Sequence, residues 1–212
     1  MRKILVVVGI LMATLTTQAQ EKSQGLKGAW WATAQIGYQQ TKTGDVKGTN
    51  TTILPLAGCF ISPSVTVGAG VGMINIKADN ATGTAANTSL IVFEPLVRKY
   101  WNVAGNLYFF GQLATPIISG KEKESNTKVT QFGAAMSGGF DFFVSKSVSV
   151  EFSYDLANLT STTIAPDGGT KTTVTNFSVA HVATAEPTHV AALGGSGPNL
   201  TTPLSFGFKF IF

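Results

Sequence analysis

Charge is scarce in this chain of 212 residues: Asp, Glu, Lys and Arg make up only 12% of it, about half the share found in soluble domains. With 44% hydrophobic residues, so little charge excludes an intrinsically disordered chain, which needs the opposite balance. Basic clusters are missing too. The net charge is +4, and beyond Met1-Arg2-Lys3 and Arg98-Lys99 no Lys/Arg grouping stands out, so nucleic acid is not an expected partner. Cys59 is the only cysteine, which rules out an intrachain disulfide. It lies in an apolar run and is expected to be a small packed side chain. Long apolar runs are also absent: none reaches the ~18 residues a spanning helix requires, although the mean hydropathy is positive. An apolar chain without a spanning helix has one other way to live in a membrane, a closed β-barrel. The 23 Gly and 14 Phe, set among many Thr and Ser, point the same way.

The N-terminus reads as an export signal. Met1-Arg2-Lys3 is a basic start, Ile4 to Leu15 a mostly apolar stretch too short to span, and Thr17 and Ala19 stand at the −3 and −1 positions of a cleavage after Ala19. Residues 1–19 are therefore expected to be a signal peptide, 20–28 a short periplasmic segment and 29–212 the barrel. Loss of Arg2 and Lys3 lowers the net charge from +4 to +2, so the basic balance owes much to a discarded segment.

The remainder alternates with period two between turn signals, which predicts strands. Eight are expected, near 29–40, 51–61, 65–77, 89–100, 106–118, 129–143, 147–158 and 204–212. In the third, Val65, Val67, Ala69, Val71 and Met73 alternate with Thr66, Gly68, Gly70 and Gly72. The more polar faces are mostly Gly, Ser, Thr and Gln, which suits the lumen of a small barrel, and the Phe- and Val-rich faces would meet lipid. Gly68, Gly70 and Gly72 would leave room for large side chains from across the lumen. Short connections near 62–64, 101–105 and 145–146 alternate with longer ones near 41–50, 78–88, 119–128 and 160–202. Short periplasmic turns and long extracellular loops are the outer-membrane pattern. The last connection contains Thr172 to Val182, which can pair as further strand and leaves ten strands open.

The final segment, Leu204-Ser205-Phe206-Gly207-Phe208-Lys209-Phe210-Ile211-Phe212, resembles the last strand of outer-membrane barrels. The whole chain after the signal is similar to the small OmpA/OmpX-type barrels, of a Bacteroidetes-like kind. Pro55-Leu56-Ala57-Gly58-Cys59-Phe60 resembles a Pro-x-x-Gly-Tyr-Phe strand end of such barrels, with Cys59 at the Tyr position. Glu94-Pro95-Leu96-Val97-Arg98-Lys99-Tyr100 and Val148-Ser149-Val150-Glu151 resemble two further strand segments. The resemblance implies an all-β, up-and-down antiparallel transmembrane barrel in the cell outer membrane. It also implies that Phe206, Phe208, Phe210 and Phe212 form the signal read by the barrel-assembly machinery.

Six charged residues fall on expected lumen faces: Glu94, Arg98, Asp141, Glu151, Asp155 and Lys209. Charges in a narrow lumen are costly unless paired. Counting back from the short turns puts Arg98, Asp141, Glu151 and Lys209 at similar heights, with Glu151 and Lys209 on neighbouring strands. An ion-pair plug is expected, with a gate or proton path as the alternative. Trp30, Trp101, Tyr108 and Phe142, together with Trp31, Phe60, Tyr100 and Phe143, lie near the short turns and are expected to form an aromatic belt at the periplasmic interface. His181 and His189 flank Glu186 in the last connection without a zinc-like spacing, so no metal, cofactor or catalytic residue is expected. The expected role is structural or surface-interacting, in a monomer touching outer-membrane lipid and lipopolysaccharide. The alternatives are passage of small or apolar molecules through a partly open lumen and, below that, a lipopolysaccharide-modifying enzyme using residues such as Ser178 and His181.

Overall fold

The computed structural model describes residues 25–80, 83–179 and 204–212. The expected signal peptide and its cleavage site lie outside the described residues, as do His181, Glu186 and His189. Among the described residues every long regular element is a strand. The strands β1 (Trp30–Thr43), β2 (Val46–Ser62), β3 (Val65–Asn80) and β4 (Gly83–Ala104) form an antiparallel meander, followed by β5 (Leu107–Ala114), β6 (Ile117–Glu122), β7 (Lys128–Phe143), β8 (Val148–Ala165), β9 (Thr172–Val179) and β10 (Leu204–Ile211). Gly44 turns β1 into β2 at φ +60, a left-handed conformation that suits glycine.

These ten elements fill eight positions of one ring. The wall between β4 and β7 is expected to be a single strand over 106–118, but Pro116 has no N–H to give the ladder, and the wall divides into β5 and β6. Both pieces pair with β4 on one side and β7 on the other. The break is stitched by Thr115 N–H donating to the Pro95 carbonyl (3.0 Å) and Gly133 N–H donating to that of Pro116 (2.9 Å).

The eighth wall is also composite. β8 runs on to Ala165, past the expected end near Asn158. β9 then pairs with the far half of β8, from Ala157↔Val179 to Ile164↔Thr172, and β10 pairs with the near half, from Leu204↔Tyr154 to Phe210↔Val148. Thr172–Val179 is therefore extra strand, yet it lengthens a wall instead of widening the barrel to ten. The ring closes where β1 meets β10 at Trp31↔Ile211 and Ala32↔Phe210. Reciprocal backbone hydrogen bonds between Trp30 and Phe212 (3.0 and 2.8 Å) and one from Thr33 Oγ1 to the Phe208 carbonyl (2.8 Å) complete that seam. Above Ala32, β1 pairs with β2 alone among the described residues.

The outward faces are apolar, as the alternation predicts. Ile36, Val71, Met73, Ile91, Phe93, Phe132, Phe140, Phe152 and Phe206 are all well exposed. A soluble monomer rarely shows such a continuous apolar surface; it is the exterior of a transmembrane barrel.

The lumen departs from expectation. The expected Gly and Ser surface is found on β7 and β8, where Ser137, Gly139 and Ser149 are buried, but not on β2, β4 and β6. Leu54, Leu56, Phe60, Ile74, Ile76, Leu90, Val92, Leu96, Ile118 and Val129 point inward and form one buried cluster with Trp31, Tyr100 and Phe110. An eight-stranded barrel is just wide enough for side chains to fill, and aliphatic ones do so without needing partners. The glycines do make room, but for side chains from the strands beside them rather than from across the lumen. A Cβ on Gly58 or Gly68 would stand 2.6 or 2.7 Å from Trp31 Cζ2, and one on Gly70 would stand 3.0 Å from Leu54 and Leu56. Near the short turns, Gly28 N–H donates to the Phe60 carbonyl and Leu26 packs on the core, so residues 25–28 cover that end of the barrel.

Candidate functional site in the lumen

Inward parity places Arg98 on β4, Gln112 on β5, Asp141 on β7, Glu151 on β8 and Lys209 on β10. Register then lifts them to one level: Arg98 pairs with Gln112, Asp141 with Glu151, and Glu151 with Gly207, one inward position from Lys209. The Arg98 guanidinium donates to both carboxylate oxygens of Glu151, at 2.5 Å from Nη1 and 3.0 Å from Nη2. Its Nε and Nη2 also donate to Gln112 Oε1 at 2.9 and 2.6 Å. Such a two-pronged contact is stronger and more directional than a point-charge pair.

Lys209 Nζ donates to Asp141 Oδ2 and to Tyr100 OH (2.9 Å), and it lies 2.9 Å from Glu151 Oε2. Tyr100 OH donates to Asp141 Oδ2 at 3.3 Å and accepts from Arg98 Nη1 at 3.1 Å. Glu151 thus joins the two cations and Tyr100 joins the two pairs. The cluster holds two positive and two negative charges, so it is neutral as a unit.

Its walls are aromatic. The Arg98 Cζ sits 4.0 Å from the centre of the Phe110 ring and 6.0 Å from that of Trp31, within cation–π range. The Trp31 indole donates to Thr66 Oγ1 (2.5 Å), whose hydroxyl donates to the Cys59 carbonyl (2.7 Å). Lys209 and Asp141 are 1% and 0% exposed, deep enough that either charge without its partner would be costly. Asp141 Oδ1 and Ser149 Oγ make no hydrogen bond here.

The other two expected members stand apart. Glu94 and Asp155 are each four residues along the same face from Arg98 and Glu151, which puts them one tier farther from the short turns. They lie within electrostatic reach of each other, and no ion pair reaches Glu94 among the described residues. The expected six-residue network is therefore a four-charge cluster plus a separate pair of carboxylates.

Of the expected aromatic belt, Trp30, Trp101 and Phe142 face outward and are about half exposed. Tyr108 does not belong to it. It packs edge-on against Phe143 (5.1 Å between ring centres) and Tyr100 (6.4 Å) inside the barrel. The outward place falls to its sequence neighbour Phe109, which packs at a tilt against Trp101 and edge-on against Phe140. Trp31, Phe60, Tyr100 and Phe143 also turn inward. Cys59 shares the outward face with Trp30 and is only half-buried. Phe206, Phe208 and Phe210 line the outer wall beside Phe152.

Tyr100 and Gln112 are members of the cluster that sequence reasoning missed. Tyr100 shares parity with Glu94 and Arg98, so alternation alone marks it as inward. Gln112 is marked only once the register across the β4–β5 turn is known.

At the long-connection end, Glu122 closes the β6–β7 hairpin. Its carboxylate accepts the backbone N–H groups of Asn87 (3.0 Å), Glu124 (2.9 Å) and Ser125, and the Ser125 hydroxyl (2.5 Å). Burial acts to raise its pKa, but these hydrogen bonds, led by the Ser125 hydroxyl, outweigh it and hold the pKa at about 2. Among the described residues, no group of three or more His, Cys, Asp or Glu is placed to hold a metal ion.

The fold and the cluster define a class, the closed eight-stranded antiparallel barrel with an apolar outside and an occupied lumen. Among solved structures, the chain is similar to the outer membrane protein OprG from Pseudomonas aeruginosa. The two share 13% identity at a TM-score of 0.47, over 89% of this chain and 98% of that one. No protein-family model matches the chain, and no curated protein does.

Proposed function

We propose that this is a small outer-membrane protein with a structural or surface-interaction role, monomeric, with its lumen blocked by side chains and its binding chemistry at the end of the barrel opposite the charged cluster. One observation carries the reading: four charges from four walls, Arg98, Asp141, Glu151 and Lys209, meet across the lumen and are packed against Trp31 and Phe110. Ions or solutes crossing the barrel would have to break that cluster. The exposed apolar rows supply the membrane contact, and the short-turn end carries the outward aromatics Trp30, Trp101 and Phe142 expected at an interface. Phe212 is then the residue most suited to an assembly signal, because its backbone closes the ring against Trp30.

The test has two parts. Fractionation should recover the protein with the outer membrane. In planar bilayers the purified barrel should show no steady conductance, and opening one should require truncating the aliphatic filling at Leu90 and Ile118 as well as removing the Arg98 and Glu151 side chains. A steady conductance in the wild type would favour passage through the lumen instead. Turnover of lipopolysaccharide by the purified protein would favour the lipid-modifying enzyme.

A further inference from the structure

The outer wall at the long-connection end carries a basic hollow. Lys121 on β6 and Lys128 on β7 are cross-strand partners, both outward and exposed. With Lys171, just before β9, they line a depression of about 500 Å³ together with Asn126, Thr130, Thr163, Ala165, Pro166 and Asp167. That volume falls in the range of ligand clefts, roughly 300–1,000 Å³. The lining carries three lysines against one carboxylate, and Asp167 is already engaged, accepting a hydrogen bond from Asn126 Nδ2 at 2.8 Å. Lys121 Nζ donates to Asn126 Oδ1 at 3.0 Å. Lys128 and Lys171 meet no acceptor among the described residues.

What lies next to the hollow decides what would fill it. Moving along the same outer face toward the membrane, the Lys121↔Lys128 row is followed by Ser119↔Thr130 and then by Ile117↔Phe132. Ile117 and Phe132 are exposed and belong to the lipid-facing band. From Phe132 to Lys128 is four residues, roughly 13 Å along the strand and less along the membrane normal because the strands tilt. The lysines therefore stand one headgroup's height beyond the last apolar row, with stems long enough to reach back toward it. An anion held there with acyl chains against Ile117 and Phe132 uses both surfaces at once, which a soluble anion cannot do.

We propose that this hollow binds the phosphate of a phosphorylated glycolipid headgroup in the outer leaflet. Lys121, Lys128 and Lys171 would supply the charge, and Thr130 and Thr163 would supply hydroxyl donors. The proposal rests on the outer-membrane reading above, but its test does not.

Full-length protein purified in detergent would be titrated with diphosphorylated lipid A, with the same lipid after phosphate removal, and with inorganic pyrophosphate. The expected result is tight binding of the first, loss of binding with the second, and weak binding of the third. A K121Q/K128Q/K171Q variant should bind diphosphorylated lipid A at least about tenfold less tightly. A K42Q/K47Q variant, altered at the β1–β2 hairpin on the opposite side of the ring, should match the wild type. Heat-modifiable gel mobility would verify that both variants fold. Equal binding by the triple variant, or by the dephosphorylated lipid, would overturn the site. Pyrophosphate binding as tight as lipid A would reassign it to a soluble anion and overturn the lipid claim. Fractionation away from the outer membrane would remove the outer-membrane reading while leaving these affinities as measured.

Discussion

The half of the lumen near the short turns and the half near the long connections are filled by opposite means. Near the short turns, Arg98, Asp141, Glu151 and Lys209 face one another under Tyr100, with Trp31, Phe60 and Phe110 around them. Toward the long connections the inward positions of β2, β3, β4 and β6 are mainly aliphatic, with Leu54, Ile74, Leu90, Val92 and Ile118 buried against one another and Glu94 and Thr88 as polar exceptions. The first half depends on partners and the second on shape. Deleting one partner strands a charge, whereas deleting one methyl group leaves a hole. The two halves should therefore respond differently to the same kind of truncation.

The largest effect should come from Arg98→Ala, which leaves Glu151 with Lys209 alone and orphans Gln112. It should cost about 3–5 kcal/mol, read from urea unfolding in detergent or lipid vesicles. Replacing Arg98 and Glu151 together by leucine should cost less than the two single changes summed. Additive losses would show that the pair is not coupled and would erase the contrast between the halves.

Leu90→Ala tests the other half and should cost about 3 kcal/mol through cavity formation. Here a second truncation, at Ile118, should add to the first or exceed it, with no rescue. Phe212→Ala should remove only about 1–2 kcal/mol by area bookkeeping, because its backbone, not its ring, makes the bonds to Trp30. If the ring is read during assembly, the yield in cells should fall far more than the yield of refolding in detergent. Equal yields of mutant and wild type in the membrane would exclude that role.

Glu122 gives a local, pH-dependent effect outside the lumen. Its pKa is depressed in the folded protein to about 2. The stability it contributes is therefore complete above the unfolded value, near 4.5, and is lost as the pH falls through about 2. The amide signals of Glu124 and Ser125 should titrate with a midpoint near 2 and stop titrating in Glu122→Gln. The smallest effect belongs to Ser149→Ala. Ser149 is fully buried but its hydroxyl makes no hydrogen bond, so its loss should stay within about 0.5 kcal/mol by equilibrium unfolding. A larger loss would mean that the charged half of the lumen relies on that hydroxyl.

Much of this was legible in the sequence because period-two alternation survives in almost every strand. Arg98 and Glu151 could be brought together by counting from the short turns, since a tight hairpin fixes register. Tyr108 and Phe109 show where that reasoning slips: placing an aromatic near the right turn does not say which face it takes, and one residue of parity reverses the answer. The aliphatic lumen was hidden by a different bias. Inward Leu and Ile on β2, β3 and β4 sit beside outward Val, Met and Phe, so the strands look uniformly apolar and only the glycines and charges signal a face. The split eighth wall was obscure because Thr172–Val179, a Thr-rich stretch, alternates weakly and lies far along the chain from Leu204.

The seam at Trp30 and Phe212 also bears on how fast the ring can form. Most neighbouring strands are joined directly in sequence, and β10 reaches β8 across 50 to 62 residues, but the seam unites positions 182 residues apart. Loop-closure entropy rises by about 0.6 kcal/mol for each doubling of the enclosed length. Relative to a span of some twenty residues, that is about three doublings, or roughly 2 kcal/mol. The reward at the seam is a ladder of only two paired positions and the few hydrogen bonds that flank it. A long excursion for a short ladder makes the contact order high where the return is thinnest, and high contact order slows folding. The step that turns a curved sheet into a barrel should accordingly come last and set the overall rate.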